Sequence, residues 1–355
     1  MKRQQMKKPT LRTVAEHTGY AVTTVSRALA DDPRIAATTR ATVAAAAKKL
    51  GYIPDRAAQR LRTGRTQVIS VVLDPHSEIL GYSGTLISGV ANALRGTRYH
   101  ISITQYSLDD DPLAPIRHIV RNRLADGVMM ARTRPFDARV SLLMEADFPF
   151  VTHGRTEWEA PHPWVDYDND RFAWQAVHLL SAHGCRRISI IPPSQEFTFY
   201  RHMTEGFRRA VAETGVIAEM PTDVDLNAAP EEISAYYRRR LVAADRPDGV
   251  ICPGEMAAIA VNAAAVDSGL ALGRDVRLVA KQTSTVFDLH RPRLETIYED
   301  IAAAGQAMAG LLLRRIAGEP PAGLHALHVP GDIALPRGSA DLAPMAEGVT
   351  GGKIE

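Results

Sequence analysis

The chain has 355 residues, enough for two or three compact units, and its 45% hydrophobic and 23% charged residues are typical of a globular protein. No run of about 18 apolar residues is present, and the amino-terminal MKRQQMKK lacks the apolar segment of a secretory signal, so we expect a cytoplasmic protein with no membrane partner. The formal net charge of +2 is unevenly distributed, because residues 1–65 hold 14 Lys/Arg against 4 Asp/Glu and the remainder holds 28 against 36. This distribution predicts a polyanionic partner for the first segment and an acidic body behind it.

Three short helices are predicted in the basic segment. Thr10 is a suitable N-cap for the first helix, and Gly19 ends it because glycine adopts positive φ without strain. A second helix follows over residues 22–29, and a third runs over about 39–50 and stops at Gly51. Two short helices across a glycine turn, braced by a third, indicate a helix-turn-helix DNA-binding unit. An arbitrary three-helix bundle is the alternative, but it does not explain the basic charge.

Three stretches carry a resemblance to a known family: residues 10–19 (TLRTVAEHTG), 24–29 (TVSRAL) and 51–61 (GYIPDRAAQRL). The first two resemble the helix-turn-helix of the LacI/GalR family of bacterial transcription regulators, and the third, at the expected separation, is similar to that family's hinge. The organisation that the resemblance implies is a DNA-binding headpiece over 1–54, a hinge over 55–65, an effector-binding and dimerisation domain over 66–340, and a tail over 341–355 that we expect to be disordered.

The resemblance also implies roles for individual residues of the headpiece. Val22 and Thr23 would face base edges, and Arg27 would reach a base or a flanking phosphate. The remaining predicted DNA contacts of the headpiece are Thr10, Tyr20, Thr24 and Ser26, of which the last two would contact phosphates. Tyr20 has two interpretations, stacking on the sugar-phosphate edge or packing against the third helix. The family usually has Ser at the position of Ala21, so one capping and phosphate contact is lost here.

The hinge is the second DNA-binding element that the resemblance implies. Residues 55–62 are too few to hold a helix alone in water, but in the family this segment becomes helical when two copies pair over the operator centre. Leu61 would then wedge between central base pairs from the minor groove, and Ala58 would allow close approach of the paired helices. Asp55 stands where the family has Asn, which adds a negative charge near phosphate but keeps an N-cap.

From Gln67 onward, apolar β-branched runs alternate with amphipathic helical stretches. The predicted strands are 68–73, 100–104, 127–130, 150–152, 188–191, 249–251 and 276–279, and the predicted helices include 82–95, 170–183, 199–214, 230–243 and 255–268. Such alternation predicts a parallel sheet with helices on both faces. Nine or ten units are too many for one doubly wound sheet. The family resemblance implies two Rossmann-like subdomains of the periplasmic-binding-protein type I kind, joined by three crossovers: subdomain one at 66–165 and 292–324, subdomain two at 166–291 and 325–335.

Ligands of parallel sheets sit at the carboxyl ends of the strands, so the effector site should lie where the two sheets face each other. Residues that follow predicted strands, or that resemble effector-contacting positions, are Asp74, His76, Ser77, Tyr82, Arg132, His153, Asp166, Asp168, Glu255, Lys281, Gln282, Tyr298 and Glu299. Arg201 lies in the region where the family often offers an Arg to the effector, but Met203 occupies the usual position of that Arg and Arg201 is displaced from it by two residues. Phe197, Phe199, Tyr200 and Tyr298 are aromatics that either stack on a sugar or pack in the core.

The effector is predicted to be a sugar or sugar derivative, and its charge is left open. The chain reads Ala280-Lys281-Gln282 where the family has Gly-aromatic-Asp, and Gly254-Glu255 where the family has Asn-Asp. Gln282 still hydrogen-bonds hydroxyl groups but offers no charge. Lys281 and Arg201 would together suit an anionic effector, whereas a neutral sugar would use hydroxyl hydrogen bonds and aromatic stacking.

The predicted function is a repressor of carbohydrate uptake or catabolism genes that binds a pseudo-palindromic double-stranded operator as a homodimer. We found no catalytic, cofactor or metal motif that favours an enzyme. A transport-type binding protein would share the body, but the basic headpiece and the lack of a signal sequence count against it. Cys185 and Cys252 are predicted to be buried free thiols.

Overall fold

The computed structural model describes residues 9–53, 60, 64–73, 81–105, 111–288, 290–291 and 293–331. The chain divides into two units, the first ending at Gln67 and the second beginning at Val68. The hinge residues Asp55, Ala58 and Leu61 and the tail over 341–355 lie outside the described residues, so the predictions for them stay predictions.

The first unit is a three-helix headpiece with helices α1 (Leu11–Thr18), α2 (Val22–Ala28) and α3 (Ala37–Leu50). Thr10 begins α1 with a reciprocal cap: its hydroxyl accepts from the Thr13 amide at 3.3 Å, and its own amide donates to the Thr13 hydroxyl at 3.1 Å. Gly19 ends the helix with φ 73°, the left-handed conformation that the predicted turn requires. Small aliphatic side chains on the three helices, Val14, Val25 and Val43 among them, form the headpiece core.

The second unit contains two sheets in which every strand pair is parallel. Its strands are β1 (Val68–Leu73), β2 (His100–Gln105), β3 (Gly127–Ala131), β4 (Phe150–His153), β5 (Trp164–Tyr167), β6 (Arg187–Ile190), β7 (Ile217–Glu219), β8 (Gly249–Cys252), β9 (Arg277–Gln282), β10 (Glu295–Tyr298) and β11 (His325–His328). The first sheet has the order β11-β5-β4-β3-β1-β2, and the second has the order β10-β9-β8-β6-β7.

Helices follow the strands, as the alternating pattern predicts. They are α4 (Tyr82–Leu94), α5 (Leu113–Asn122), α6 (Ala138–Glu145), α7 (Asn169–Ala182), α8 (Thr198–Thr214), α9 (Pro230–Leu241), α10 (Glu255–Asp267) and α11 (Ile301–Ile316). Helices α4 and α11 pack closely against each other, since a Cβ built on Gly89 would lie only 2.1 Å from the carbonyl oxygen of Ala302, and both contribute to the core of the first sheet. In the described parts of the chain, no helix combines the length and apolar character needed to cross a membrane.

The two predicted subdomains exist as two sheets, but the division of their last strands is corrected. Residues 295–298, which fall in the range 292–324 predicted for subdomain one, form a strand that pairs with β9 in the second sheet. The strand at 325–328, predicted for subdomain two, pairs with β5 in the first sheet. Both are edge strands with partly exposed side chains, so their short sequences carry no apolar pattern that identifies the sheet they join.

The chain passes three times between the two halves, as the resemblance implies. It leaves the first sheet after β5, returns between β10 and α11, and leaves again after β11, where the Gly331 carbonyl accepts from the Gln175 side chain of α7 at 3.0 Å. At the first and third passages the Asp168 amide donates to the His328 carbonyl at 2.8 Å. The carboxyl ends of both sets of strands therefore face a common space.

Candidate DNA interface and effector cavity

Helix α2 of the headpiece has one buried and one exposed face. Val25 and Ala28 are buried in the headpiece core, whereas Val22 is 42% exposed and Thr23 and Arg27 are also exposed. This spacing leaves a small apolar side chain, a hydroxyl and a guanidinium on the outer face, a set that can contact thymine methyls, polar base atoms and phosphates. Thr24 and Ser26 are half-buried beside this face.

The two residues before α2 are exposed as well. Tyr20 is 37% exposed and does not belong to the headpiece core, which leaves its ring accessible. Ala21 occupies the N-cap position and makes no side-chain capping bond, in agreement with the predicted loss of a serine contact. The first-turn amides of α2 therefore lack a side-chain cap from this position.

Acidic charge near the turn after α2 is already compensated. Asp32 pairs with Arg34 at 2.7 Å, and the hydrogen bonds from Arg34 lower the pKa of Asp32 to about 2. Arg27, Lys48 and Lys49 are exposed elsewhere on the headpiece. The headpiece surface is therefore cationic, as a DNA-binding unit requires.

The second unit contains a cavity at the carboxyl ends of the strands of both sheets. The space amounts to about 930 Å³, with the open solvent at its mouth included. Among the described residues, its lining includes the strand-end residues Leu73, Ala131, His153, Asp166, Tyr167, Pro253, Lys281 and Glu299, and the helix-start residues Tyr82, Ser83, Asn169, Thr198 and Phe199. This is the location that the strand-end rule predicts for a ligand.

On the side of the second sheet, a buried ion pair joins Lys281 and Glu299. The Lys281 ammonium lies 3.0 Å from Glu299 Oε2 and donates to Asn169 Oδ1 at 2.6 Å. It also lies 4.5 Å from the ring centre of Tyr167, close enough for a cation–π contact. Lys281 therefore has its charge balanced within the cavity wall.

On the side of the first sheet, Arg155 and Asp166 form a second ion pair, with 2.8 Å between Nε and Oδ2. Burial raises the pKa of Asp166 to about 6, although the Arg155 cation acts in the opposite direction. His153 lies beside this pair, and the Tyr82 hydroxyl is 2.7 Å from its Nδ1. Burial lowers the pKa of His153, so its ring is neutral at physiological pH.

Aromatic and apolar groups complete the cavity. Phe199, Met203 and Leu226 line it from the second half, and Leu73 and Tyr82 line it from the first. Two further residues hold Arg132 in place, since its guanidinium lies 4.1 Å from the ring centre of Phe197 and donates to Asn227 Oδ1 at 2.7 Å. The cavity thus combines apolar surface with a few fixed polar groups, as small-molecule sites do.

Seven of the residues predicted for the effector site line this cavity, and three lie outside the described residues. Those that line it are Tyr82, Arg132, His153, Asp166, Phe199, Lys281 and Glu299; those outside are Asp74, His76 and Ser77. Arg155, Tyr167 and Asn169 also line the cavity and were not predicted from the sequence. The first two lie at or just after strand ends, so the same rule applied more broadly would have included them.

Two predicted contacts, Glu255 and Gln282, are turned toward the loop after β9. The buried Glu255 carboxylate accepts hydrogen bonds from the Thr283 and Ser284 amides and from the Ser284 hydroxyl, at 2.8–2.9 Å. The side-chain amide of Gln282 donates to the Ser284 carbonyl and to the Asp288 carboxylate. Both side chains therefore order a loop, and neither is part of the described cavity lining.

Three more predicted contacts also lie outside the described lining. Asp168 caps α7 by accepting from the Arg171 amide at 3.0 Å. Arg201 is exposed and pairs with Glu157 at 3.1 Å, and Tyr298 is 55% exposed. Lys281 lines the cavity and Arg201 does not, so the described geometry does not support their joint action on an anionic ligand.

The two units together define a class of protein. A helix-turn-helix unit with a cationic recognition face is joined to a two-sheet parallel α/β body with a cavity between the strand ends. This combination describes a DNA-binding regulator with a ligand-binding domain of the periplasmic type.

Comparisons with known proteins give the family. Residues 10–55 match the family of bacterial regulatory proteins of the lacI type, and residues 177–340 match the periplasmic binding protein-like domain. The HTH-type transcriptional regulator AglR of Rhizobium meliloti (strain 1021) is 31% identical over 311 residues, which cover 85% of this chain and 86% of AglR. The regulator CelR of Thermobifida fusca is 28% identical over 89% of this chain and 94% of CelR. The chain belongs to the LacI family and is a DNA-binding transcription regulator.

Solved structures agree on the fold. The lac repressor dimer bound to operator and the anti-inducer ONPF superposes with a TM-score of 0.76 at 20% identity, covering 91% of this chain and 97% of the repressor. The CelR–cellobiose complex superposes with a TM-score of 0.67 at 24% identity, covering 91% and 98%. Family membership decides between a regulator and a transport-type binding protein in favour of the regulator.

Proposed function

We propose that this regulator represses carbohydrate uptake or catabolism genes as a homodimer and that a neutral sugar bound in the cavity controls its affinity for the operator. Two structural relatives support this proposal. CelR was solved with cellobiose, and the lac repressor was solved as a dimer on its operator with a small ligand. Because cellobiose is a disaccharide, a neutral disaccharide is the effector class that we test first.

We choose a neutral sugar because two cations of the cavity wall are already paired with carboxylates of the same wall. Lys281 faces Glu299, and Arg155 faces Asp166, so two cations of the wall already have carboxylate partners. An anionic effector would have to compete with these buried pairs and would approach two carboxylates. Hydroxyl groups, in contrast, can donate to the carboxylates and accept from the cations without breaking either pair.

For the DNA side, we infer that α2 enters the major groove. Its exposed Val22, Thr23 and Arg27 would contact bases, and Thr24 and Ser26 would contact phosphates. Tyr20 is accessible for the sugar-phosphate edge, and Thr10 contributes mainly by capping α1. One such helix reads only a few base pairs, so a pair of headpieces on a pseudo-palindromic operator is needed for useful specificity.

The test combines selection of DNA and titration of sugars. Full-length protein is mixed with genomic fragments and random duplex at moderate salt, and enriched fragments are measured by fluorescence anisotropy. Cellobiose, maltose, lactose and melibiose, with glucose 6-phosphate and glucuronate as anionic comparisons, are then titrated by calorimetry and added to the protein–DNA complex. We expect a preferred fragment whose affinity changes with a neutral disaccharide. Absence of any preferred fragment would refute the regulatory proposal, and binding of the anionic compounds alone would refute the neutral effector.

A further inference from the structure

Two polar side chains of the cavity lining approach each other from different sheets. His153 is the last residue of β4 in the first sheet, and Glu299 directly follows β10 in the second. The distance from His153 Nε2 to Glu299 Oε1 is 3.9 Å. This separation is too long for a hydrogen bond between the two residues. A single oxygen atom, however, fits at about 2.8 Å from both, with the two bonds meeting near a right angle.

The chemistry of the two atoms limits what that oxygen can be. The His153 ring is neutral, so one nitrogen carries a proton and the other accepts one. Its Nδ1 lies 2.7 Å from the Tyr82 hydroxyl. When this hydroxyl donates to Nδ1, the proton of the ring is on Nε2, which points toward the gap as a donor. On the other side, the Glu299 carboxylate, paired with the Lys281 ammonium, only accepts.

Glu299 is held in place by neighbours that leave one oxygen for the gap. Its Oε2 lies 3.0 Å from the Lys281 ammonium, which is fixed in turn by Asn169 at 2.6 Å. Lys281 also lies 5.0 Å from the ring centre of Phe172. The ammonium thus balances the carboxylate charge and orients it, and Oε1 is the oxygen on the side of His153.

We propose that His153 and Glu299 form a hydroxyl-recognition site in which one effector hydroxyl accepts from Nε2 and donates to Oε1. This inference rests on the proposed sugar effector and adds the residues that determine its specificity. An ether or methylated oxygen cannot donate to Glu299, and a carboxylate or phosphate oxygen is repelled by it. Because the two partners belong to different sheets, the same hydroxyl joins the two halves of the body, which gives the ligand unequal affinity for their closed and open arrangements.

The experiment uses full-length protein, calorimetry at pH 7.5, and cellobiose, maltose, lactose and melibiose as probes. For each sugar that binds the wild type, Glu299→Gln and His153→Phe should each weaken binding about tenfold or more. The double variant should bind within about threefold of the weaker single variant, because both changes remove contacts to one hydroxyl. Glu295→Gln is the matched control: Glu295 begins β10, the strand that Glu299 follows, and it pairs with His183 at 3.2 Å, outside the described cavity lining. Its affinity should equal that of the wild type.

A second readout on the wild type does not depend on the folding of a variant. Long-range ¹H–¹⁵N spectra of the histidine rings, assigned with His153→Phe, should show Nε2 of His153 protonated and its resonance moved by a saturating sugar. If a sugar binds but His153 signals do not move, or Glu299→Gln binds it with unchanged affinity, the inference is overturned while the proposed function stands. If none of the four sugars binds the wild type, the proposed neutral disaccharide effector fails, and this inference fails with it.

Discussion

Replacing Lys281 by methionine should destabilise the protein far more than the loss of one surface charge would. Both side chains of the Lys281–Glu299 pair are 6% exposed, and their charged atoms are 3.0 Å apart. The substitution keeps the length of the side chain but leaves a buried carboxylate without its cation, and it removes the bond to Asn169. Breaking a buried pair in this way costs about 3–5 kcal/mol of unfolding free energy.

The assay is urea unfolding of the full chain without sugar, followed by far-ultraviolet circular dichroism. The double variant Lys281→Met, Glu299→Met should recover most of the loss, because no unpaired charge remains buried. The matched control is Arg238→Met, since Arg238 and Asp267 form a 3.6 Å pair whose side chains are 53% and 54% exposed. That change should cost less than about 1 kcal/mol. A loss below about 1 kcal/mol for Lys281→Met, or a double variant as unstable as the single one, would refute the reasoning.

Three other outcomes are expected. Burial raises the pKa of Asp166 to about 6 from an ordinary 3.8, so the contribution of Asp166 to the unfolding free energy is full below about pH 4 and decreases by about 3 kcal/mol as the pH rises through 6. The difference in unfolding free energy between the wild type and Asp166→Asn should follow this change with pH. A difference that does not depend on pH would contradict it. Gly89→Ala should lower the unfolding free energy by about 1–3 kcal/mol, because the added Cβ meets the Ala302 backbone. Gly84→Ala on the same helix is the control, since its Cβ enters open space and should not destabilise the protein. Equal melting temperatures for the two variants would be inconsistent with this packing. Arg27→Ala should weaken specific DNA binding by about 1–3 kcal/mol without changing sugar binding, and anisotropy with an unchanged dissociation constant would exclude this role.

Most of the fold follows from local sequence patterns. Helices α1, α4, α8 and α10 begin and end within about a residue or two of their predicted positions because caps, glycines and apolar spacing act locally. The central strands β1, β3 and β8 are almost fully buried and have continuous apolar sequences, so they were also found. The sheet that an edge strand joins depends on the route of the chain in three dimensions, and this is where β10 and β11 were misassigned.

For the cavity, the sequence predicts which residues lie near it better than it predicts where their side chains point. The strand-end rule selected His153 and Lys281, which line the cavity because the carboxyl ends of the parallel strands converge there. It could not tell that Glu255 turns toward the amides after β9 or that Lys281 is balanced by Glu299, since both depend on contacts between segments distant in sequence. The anionic alternative for the effector arose from this limit, because counting cations does not reveal their partners.

The hydrogen bond between the Asp168 amide and the His328 carbonyl has a mechanical consequence. It joins the first and third passages of the chain to each other, so two hydrogen-bonded segments connect the halves of the body side by side. Such a connection resists sliding and separation of the two halves but permits their rotation about the connecting segments. We therefore expect the proposed effector to act mainly by changing the angle between the two halves of the body.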